Sequence, residues 1–464
     1  MRLKEELKKS GYFWLPLAEE RKIPGVITIT DGGNIDLEIV GIFEEIIQEL
    51  NLVVNEKNEY QRIIGNIEQY GFVTLENCFY KFKNVSLGGI AKSFLFVNKA
   101  FIGFNYSYQE TILFDNFQFS VEGLDEWIGI SGIKVERPFE KNEALITYSQ
   151  PEEILLNLNN EMKLLITFSW IPPNFPNIKE AKISQKTYFK LLSEEKRPAD
   201  DFFSIAYKIS TLLCFAIDQT VCIDHASTIY ETNSQDIEDT AVSISIYFGS
   251  LGYSKIAPEI VFYKMLFRFG ESQEAAERII NKWIEFYDVI EPALSLYFST
   301  KIGAYQYLDG QFLALAQALE TYHRRTSEDK LMDDNIFKEL TESLINQCPE
   351  EKKDWLSGRL KYGNEIPLRR RIKAIIEPFK EFFGTYKERN KLISNIIDTR
   401  NYLTHYDQSL ELKALSGIDL HYICSKMEAI FQLNLLQKLG FKKEEIKTIY
   451  DGFNNMKRKI KGES

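Results

Sequence analysis

Apolar and polar residues alternate through residues 25–41, on both sides of Asp31-Gly32-Gly33. Ile27 and Ile29 face one way, Thr28 and Thr30 the other, and Ile35, Leu37 and Ile39 resume the pattern beyond the glycines. A period of two interrupted by a Gly-rich turn predicts a β-hairpin, with Asp31 as a turn residue and not a catalytic carboxylate. Strand-like runs follow at YGFVTLENCFYKF, SFLFVNKAFIGF, FDNFQFSVEG and EMKLLITFSWI, with turn residues between them, as in a sandwich or barrel. The Pro-rich, polar stretch 171–180 marks a first domain boundary.

Beyond residue 198 the period changes. Phe203, Ala206, Ile209, Leu213 and Ile217 recur at helical spacing, a strand-like AVSISIYFG follows, and VFYKMLFRF suits either element. The segment from Glu271 to Ser299 reads as a helix that Pro292 ends or kinks. After residue 300 four or five helical stretches alternate with polar or Gly/Pro breaks, which predicts a bundle. The expected architecture is α+β, with a β-rich region at 1–175, a mixed middle region at 176–300 and an all-α bundle at 301–464.

The 464 residues exceed what one core organises, and an apolar content of 44% excludes a disordered chain. Five scattered cysteines without a CxxC pair suit a reducing compartment. The charged N-terminus and the lack of a 20-residue apolar run predict a cytoplasmic protein without a membrane partner. Net charge is −11, yet residues 351–400 hold 13 Lys/Arg against 7 Asp/Glu, or +6. That local excess is able to hold RNA in one place, with Arg369, Arg370 and Arg371 as its densest run; a solvated helix face explains the same charges equally well.

Other chemistries find little support. Cys214, Cys222 and His225 offer three zinc ligands at loose spacing with no fourth, so buried structural thiols are the better reading. GGIAKSF lacks P-loop spacing, and GxSxG and HExxH are absent. No metal site and no cofactor are expected.

Near the end of the bundle, Leu392, Ile393, Ile396, Ile397 and Leu403 form one apolar stripe, with Arg400 inside it and Asn401 and His405 at its edge. A guanidinium in an apolar stripe needs an acidic partner, a helix end or a cleft. Glu320, one turn from His323 on the first bundle helix, is a candidate partner for Arg400, and His323 reads as a satisfied core histidine.

The run Arg400-Asn401-Tyr402-Leu403-Thr404-His405 resembles the HEPN signature of an Arg, a polar residue and a nearby His. The opening Gly11-Tyr12-Phe13-Trp14-Leu15-Pro16, then Pro24-Gly25, the hairpin and Gly41-Ile42-Phe43, is similar to the N-terminal domain of ApeA anti-phage proteins. The order of such a domain, a middle region and a terminal RNYLTHYD extends the likeness over most of the chain.

The resemblance implies an abortive-infection endoribonuclease that cuts RNA without a metal, with a phage-derived trigger. It implies 2′-hydroxyl attack and 2′,3′-cyclic phosphate products. His405 then acts as general base or acid, Arg400 as the phosphate and transition-state stabiliser, and Asn401 as an orienting group. It also implies a homodimer in which two such helices face each other. Transfer RNA is the favoured substrate, because exposed loop bases are reachable. The alternative is a non-catalytic HEPN module that binds RNA or a partner protein. A third reading is a β-domain carbohydrate or peptide binder whose helical half only dimerises.

Overall fold

The computed structural model describes residues 1–47, 52–54, 58–84, 92–138, 142–173, 178–231, 241–250, 254–270, 273–303 and 305–462. The chain forms two compact units, Met1–Ile284 and Glu285–Ser464. The first opens with eight strands: β1 (Leu7–Trp14), β2 (Ile23–Thr30), β3 (Asn34–Ile39), β4 (Glu45–Ile47), β5 (Leu52–Val54), β6 (Glu59–Ile67), β7 (Gly71–Asn84) and β8 (Lys92–Ile102). Antiparallel pairings run β1–β2, β2–β3, β3–β8, β8–β7, β7–β6 and β6–β1, which closes a six-stranded barrel. Closure removes the free sheet edges that would template aggregation. β4 and β5 form a separate two-stranded antiparallel sheet.

Inward positions of the barrel are apolar, as the period of two requires: Ile27, Ile29, Ile35, Leu37, Ile63, Leu75, Leu95 and Val97 are fully or nearly fully buried. A barrel this narrow has little room at its centre, and glycines make that room. Phe13 is buried inside, where a Cβ on Gly65 would stand 2.6 Å from its ring and one on Gly25 3.1 Å. Gly11 pairs directly with Gly25 across β1 and β2. Of the residues that carry the N-terminal resemblance, Gly11, Phe13, Trp14, Gly25, Ile42 and Phe43 are therefore packing residues. The predicted hairpin is β2–β3, turned by Gly32 and Gly33 at positive φ. Asp31 accepts from the Leu3 N–H and pairs with Arg2, the structural role its turn position predicts.

The rest of the first unit contains β9 (Leu113–Val121), the short helix α1 (Leu124–Ile128), β10 (Ile133–Glu136), β11 (Leu145–Tyr148), β12 (Ile154–Asn157), β13 (Met162–Ile171) and β14 (Ser184–Pro198). It continues through helix α2 (Ala199–Ile217), β15 (Ile223–Glu231) and β16 (Ala241–Phe248). β16 pairs with Lys99–Ile102 of β8, next to the stretch that β3 occupies, and so carries the sheet out of the barrel through β15, β9, β14 and β13 to β12. α2 packs on this sheet through Phe202 and Phe203 against Phe114 and Phe117.

Two expectations need correction here. The stretch 171–180 is no domain boundary, because the strands flanking it pair with each other from Met162–Ser193 to Ile171–Ser184. Residues 176–300 likewise form no separate region: β14, β15 and β16 are strands of the same large sheet, and the units part at 284/285. The ambiguous VFYKMLFRF is neither strand nor long helix but a 3-10 turn at Phe262–Lys264 followed by extended chain. Leu266 and Phe269 donate their N–H groups to Ala216 and Trp127 carbonyls, local bonds that displace regular structure.

Helix α3 (Gln273–Ser299) runs through the 284/285 division, and Pro292 lies inside it without ending it. Its first half guards the edge strand β12. Asn281 accepts from the Asn159 N–H and donates to the Asn157 carbonyl, and Glu277 accepts from the Asn157 N–H.

The second unit holds α4 (Leu308–Thr326), α5 (Asp334–Gln347), α6 (Lys353–Leu360), α7 (Leu368–Ile376), α8 (Tyr386–His405), α9 (Gly417–Lys438), α10 (Lys443–Asp451) and α11 (Met456–Lys461). α9 is its centre. From Ala429 to Leu436 every residue of α9 is buried, as a helix surrounded on all sides requires. Its two buried amides are satisfied: Gln432 donates to the Tyr297 hydroxyl and Asn434 to the Ile375 carbonyl. α4, α7, α10 and α11 pack on α9, and α8 lies on α4 and α7.

Candidate active site

The helix α8 starts where its sequence says it should. Thr385 and Glu388 form a reciprocal capping box: the Thr385 Oγ1 accepts from the Glu388 N–H, and Glu388 accepts from the Thr385 N–H. The helix ends at His405, because Tyr406 adopts a left-handed conformation (φ 49°) and its N–H closes on the Tyr402 carbonyl. His405 is thus the last helical residue, with an exposed side chain. Asp407 follows it, held below the usual carboxylate range by bonds from Ser409, with the nearby His405 adding to the effect. Asp407 is an ionised neighbour of His405 that the motif alone did not indicate.

The core side of α8 is formed by Ile393, Ile396, Thr399 and Leu403. Thr399 is fully buried, its Oγ1 accepting from the Leu415 N–H. This polar residue extends the core side away from Ile397, which is half-buried, while Arg400 falls between Ile393 and Ile396 around the helix, within the stripe, at about 100° per residue. Arg400 is half-buried and donates to the Asn401 side-chain oxygen at 3.3 Å. Among the described residues no carboxylate pairs with it. A guanidinium in this setting keeps most of its donors available for an external anion.

Ser394, Asp398, Asn401 and His405 lie within about 60° of one another at about 100° per residue, so they share one face of α8. Arg369 reaches that face from α7 and donates to the Ser394 hydroxyl at 3.0 Å. Arg370 is exposed. His405 lies five positions beyond Arg400, a rise of about 7.5 Å along the axis, and Arg400 points further toward the core side.

The structure separates other predicted site residues from this face. Arg371 is 5% exposed, which excludes it as part of an RNA-tracking run. Its Nε donates to the Ile366 carbonyl, Nη1 lies 3.4 Å from His323 Nδ1 and Nη2 3.4 Å from Glu365. About 200° of helical turn separates it from Arg369, which puts one inside and one outside. Glu320 does not meet Arg400: it accepts from Arg324, one turn along α4. Arg324 in turn pairs with Glu365. His323 is the buried core histidine its position on α4 predicts, and burial, with Arg371 beside it, pushes its pKa down.

The thiols considered as loose zinc ligands have other occupations. Cys214 donates to the Val221 carbonyl and Cys222 to Glu122, and burial pushes both up to about 12. His225 meets the Ser227 hydroxyl. No helix among the described residues is long and apolar enough to cross a membrane.

A family model described as ApeA N-terminal domain 1 matches residues 8–283, and one described as Apea-like HEPN matches residues 313–445. No curated protein and no solved structure gives a significant match to the chain. The first match takes in all of the barrel but Leu7, together with its attached sheet, and the second contains α8 with Arg400, Asn401 and His405. With more than half of its length inside the first model, the chain belongs to the ApeA family, an anti-phage family whose helical half is a HEPN nuclease domain.

Proposed function

We propose that the protein is a metal-independent endoribonuclease of anti-phage abortive infection, acting in the cytoplasm on structured RNA with transfer RNA preferred. The observation that supports this most is Arg400: half-buried on the helix that carries His405, inside the HEPN match, and without a carboxylate to neutralise it among the described residues. A structural arginine at that depth would be paired.

In the proposed reaction the ribose 2′-oxygen attacks the adjacent phosphorus and the 5′-oxygen leaves. A base takes the 2′-hydroxyl proton and an acid returns one to the 5′-oxygen, which yields a 2′,3′-cyclic phosphate and a 5′-hydroxyl. His405 has the chemistry for either proton step. Arg400 presents a fixed charge and a planar donor fork to the phosphorane oxygens. Asn401, bonded to Arg400, holds that fork in place. Two protomers facing each other through the Ser394–Asn401–His405 side of α8 supply two histidines, one for each proton step. A phage-derived trigger acting on the N-terminal unit completes the reading.

The test is cleavage of total transfer RNA by the purified protein and by His405→Ala, with EDTA present and product ends mapped. Discrete cuts with cyclic-phosphate ends in the first and none in the second are expected. Cleavage unaffected by the substitution would remove His405 from the chemistry. RNA binding without cleavage, also in extract of infected cells, would favour the non-catalytic module.

A further inference from the structure

A groove of about 540 Å³ opens between α8, α9 and α11, beneath the loop that ends at Gly384. Lys391 and Asn395 line it from α8, Tyr422 and Lys426 from α9, and Lys461 from α11, with Phe382 also in the lining. These positions span 79 residues of sequence between Phe382 and Lys461, so no local run of charge announces them. Two carboxylates also line the groove, and each is offset. Glu388 is engaged in the cap of α8. Asp419 sits in the first turn of α9, where Ser416 gives no side-chain cap and the free N–H groups offset a negative charge.

Lysines beside aromatic and aliphatic surface are the combination that holds single-stranded nucleic acid, with phosphates on the cations and a base against a ring. A small inorganic anion would have no use for the apolar half of this lining. The groove also has a fixed relation to His405. Lys391, Asn395, Asp398, Tyr402 and His405 fall within about 80° of one another on α8, with Lys391 and His405 about 21 Å apart along the axis. Asp398 interrupts the cationic track, so the groove and the cleavage point contact separate phosphates.

We propose that this groove is a second substrate contact, which grips single-stranded RNA several nucleotides away from the bond that His405 and Arg400 cut. The proposal rests on the nuclease reading for its purpose, and its test does not depend on cleavage. It also relocates the RNA-tracking cations: Lys391 and Lys426 take the place that the sequence suggested for Arg371.

The experiment uses the full chain carrying His405→Ala, so that RNA stays intact, and compares it with the same chain also carrying Lys391→Gln and Lys426→Gln. Binding of a labelled, unstructured RNA oligonucleotide is followed by fluorescence polarisation over a salt series. Loss of two phosphate contacts should weaken binding at least about tenfold at low salt and flatten the log Kd against log salt slope by about 1.4. Equal affinity and equal slope in the two proteins would overturn the groove, and so would the absence of RNA binding by either. Cleavage by the chain with native His405 decides the nuclease reading separately. His405-dependent cutting with lysine variants that bind normally would leave that reading intact and the groove refuted. Lysine-dependent binding without cutting, also in extract of infected cells, would leave the groove and remove the nuclease.

Discussion

The helical unit contains two arginine–histidine pairs built in opposite ways. Arg371 and His323 are buried between α7 and α4, and every side of the guanidinium meets a protein acceptor: Ile366, His323 and Glu365. Arg400 and His405 lie on one helix; the arginine is half-buried and, among the described residues, its one side-chain bond is to Asn401, and the histidine is exposed at the helix end. The first pair has its electrostatic needs met from within the fold, so its contribution is to stability. The second has them unmet, and a substrate phosphate is a partner that would meet them. The contrast shows that residue type alone does not separate scaffold from chemistry; the number of partners already present does.

The largest expected effect tests the open pair. Arg400→Ala should lower RNA cleavage by about 100- to 1,000-fold, as removal of a transition-state donor does. Its stability in urea should stay within about 0.5 kcal/mol of the parent. Arg371→Ala should do the reverse: a loss of about 3 kcal/mol in the helical unit, with cleavage per folded molecule retained. If the Arg400 variant unfolds while the Arg371 variant folds but does not cut, the two pairs have exchanged roles.

A pH series sharpens the comparison by a smaller amount. Burial and Arg371 favour the neutral form of His323, so its folded pKa lies below the ordinary 6.5. As pH falls below about 6.5 the unfolded chain takes up the proton first, and stability drops by up to about 1.4 kcal/mol per pH unit until the folded imidazole titrates too. Above that range the contribution is complete. His323→Asn should abolish this part of the acid loss, seen as a stability difference from the parent that shrinks between pH 6.5 and the folded value. A difference constant with pH would mean that His323 is not held neutral.

Glu320→Gln gives the smallest expected change. The carboxylate pairs with Arg324, which is 44% exposed, so less than about 1 kcal/mol should be lost and cleavage should be unaltered. A marked fall in cleavage would restore Glu320 as a partner of Arg400.

Local periodicity makes much of this architecture legible in the amino-acid sequence. The β2–β3 hairpin, the long strands β7, β8, β9 and β13, and the helices α2, α4, α5, α8 and α9 all coincide with stretches whose apolar spacing names them. β14 is not legible in this way. Thr187, Phe189 and Leu191 do alternate inward, but the charged SEEKR tail masks a 15-residue strand that is paired on both sides. Without β14, the sheet reads as finished at residue 171 and a false boundary follows.

The candidate site divides along the same line. The capping box, the helix end and the Arg–Asn–His spacing are local, and the sequence determined them through residues three to six apart. The sequence also held Gly25 of β2 and Gly65 of β6, whose small size the barrel needs around Phe13, and Gly11 of β1, where a Cβ would strike the Asn66 carbonyl. What only the tertiary structure decided depends on contacts between distant residues. Closure of the barrel requires β8 to pair with both β3 and β7. The burial of Arg371 beside an exposed Arg370 depends on where α7 meets α4, not on the run of three arginines. The grouping of Lys391, Lys426 and Lys461 depends on how α8, α9 and α11 come together. Periodicity fixes which side of an element is apolar; packing alone fixes which charges end up facing one another.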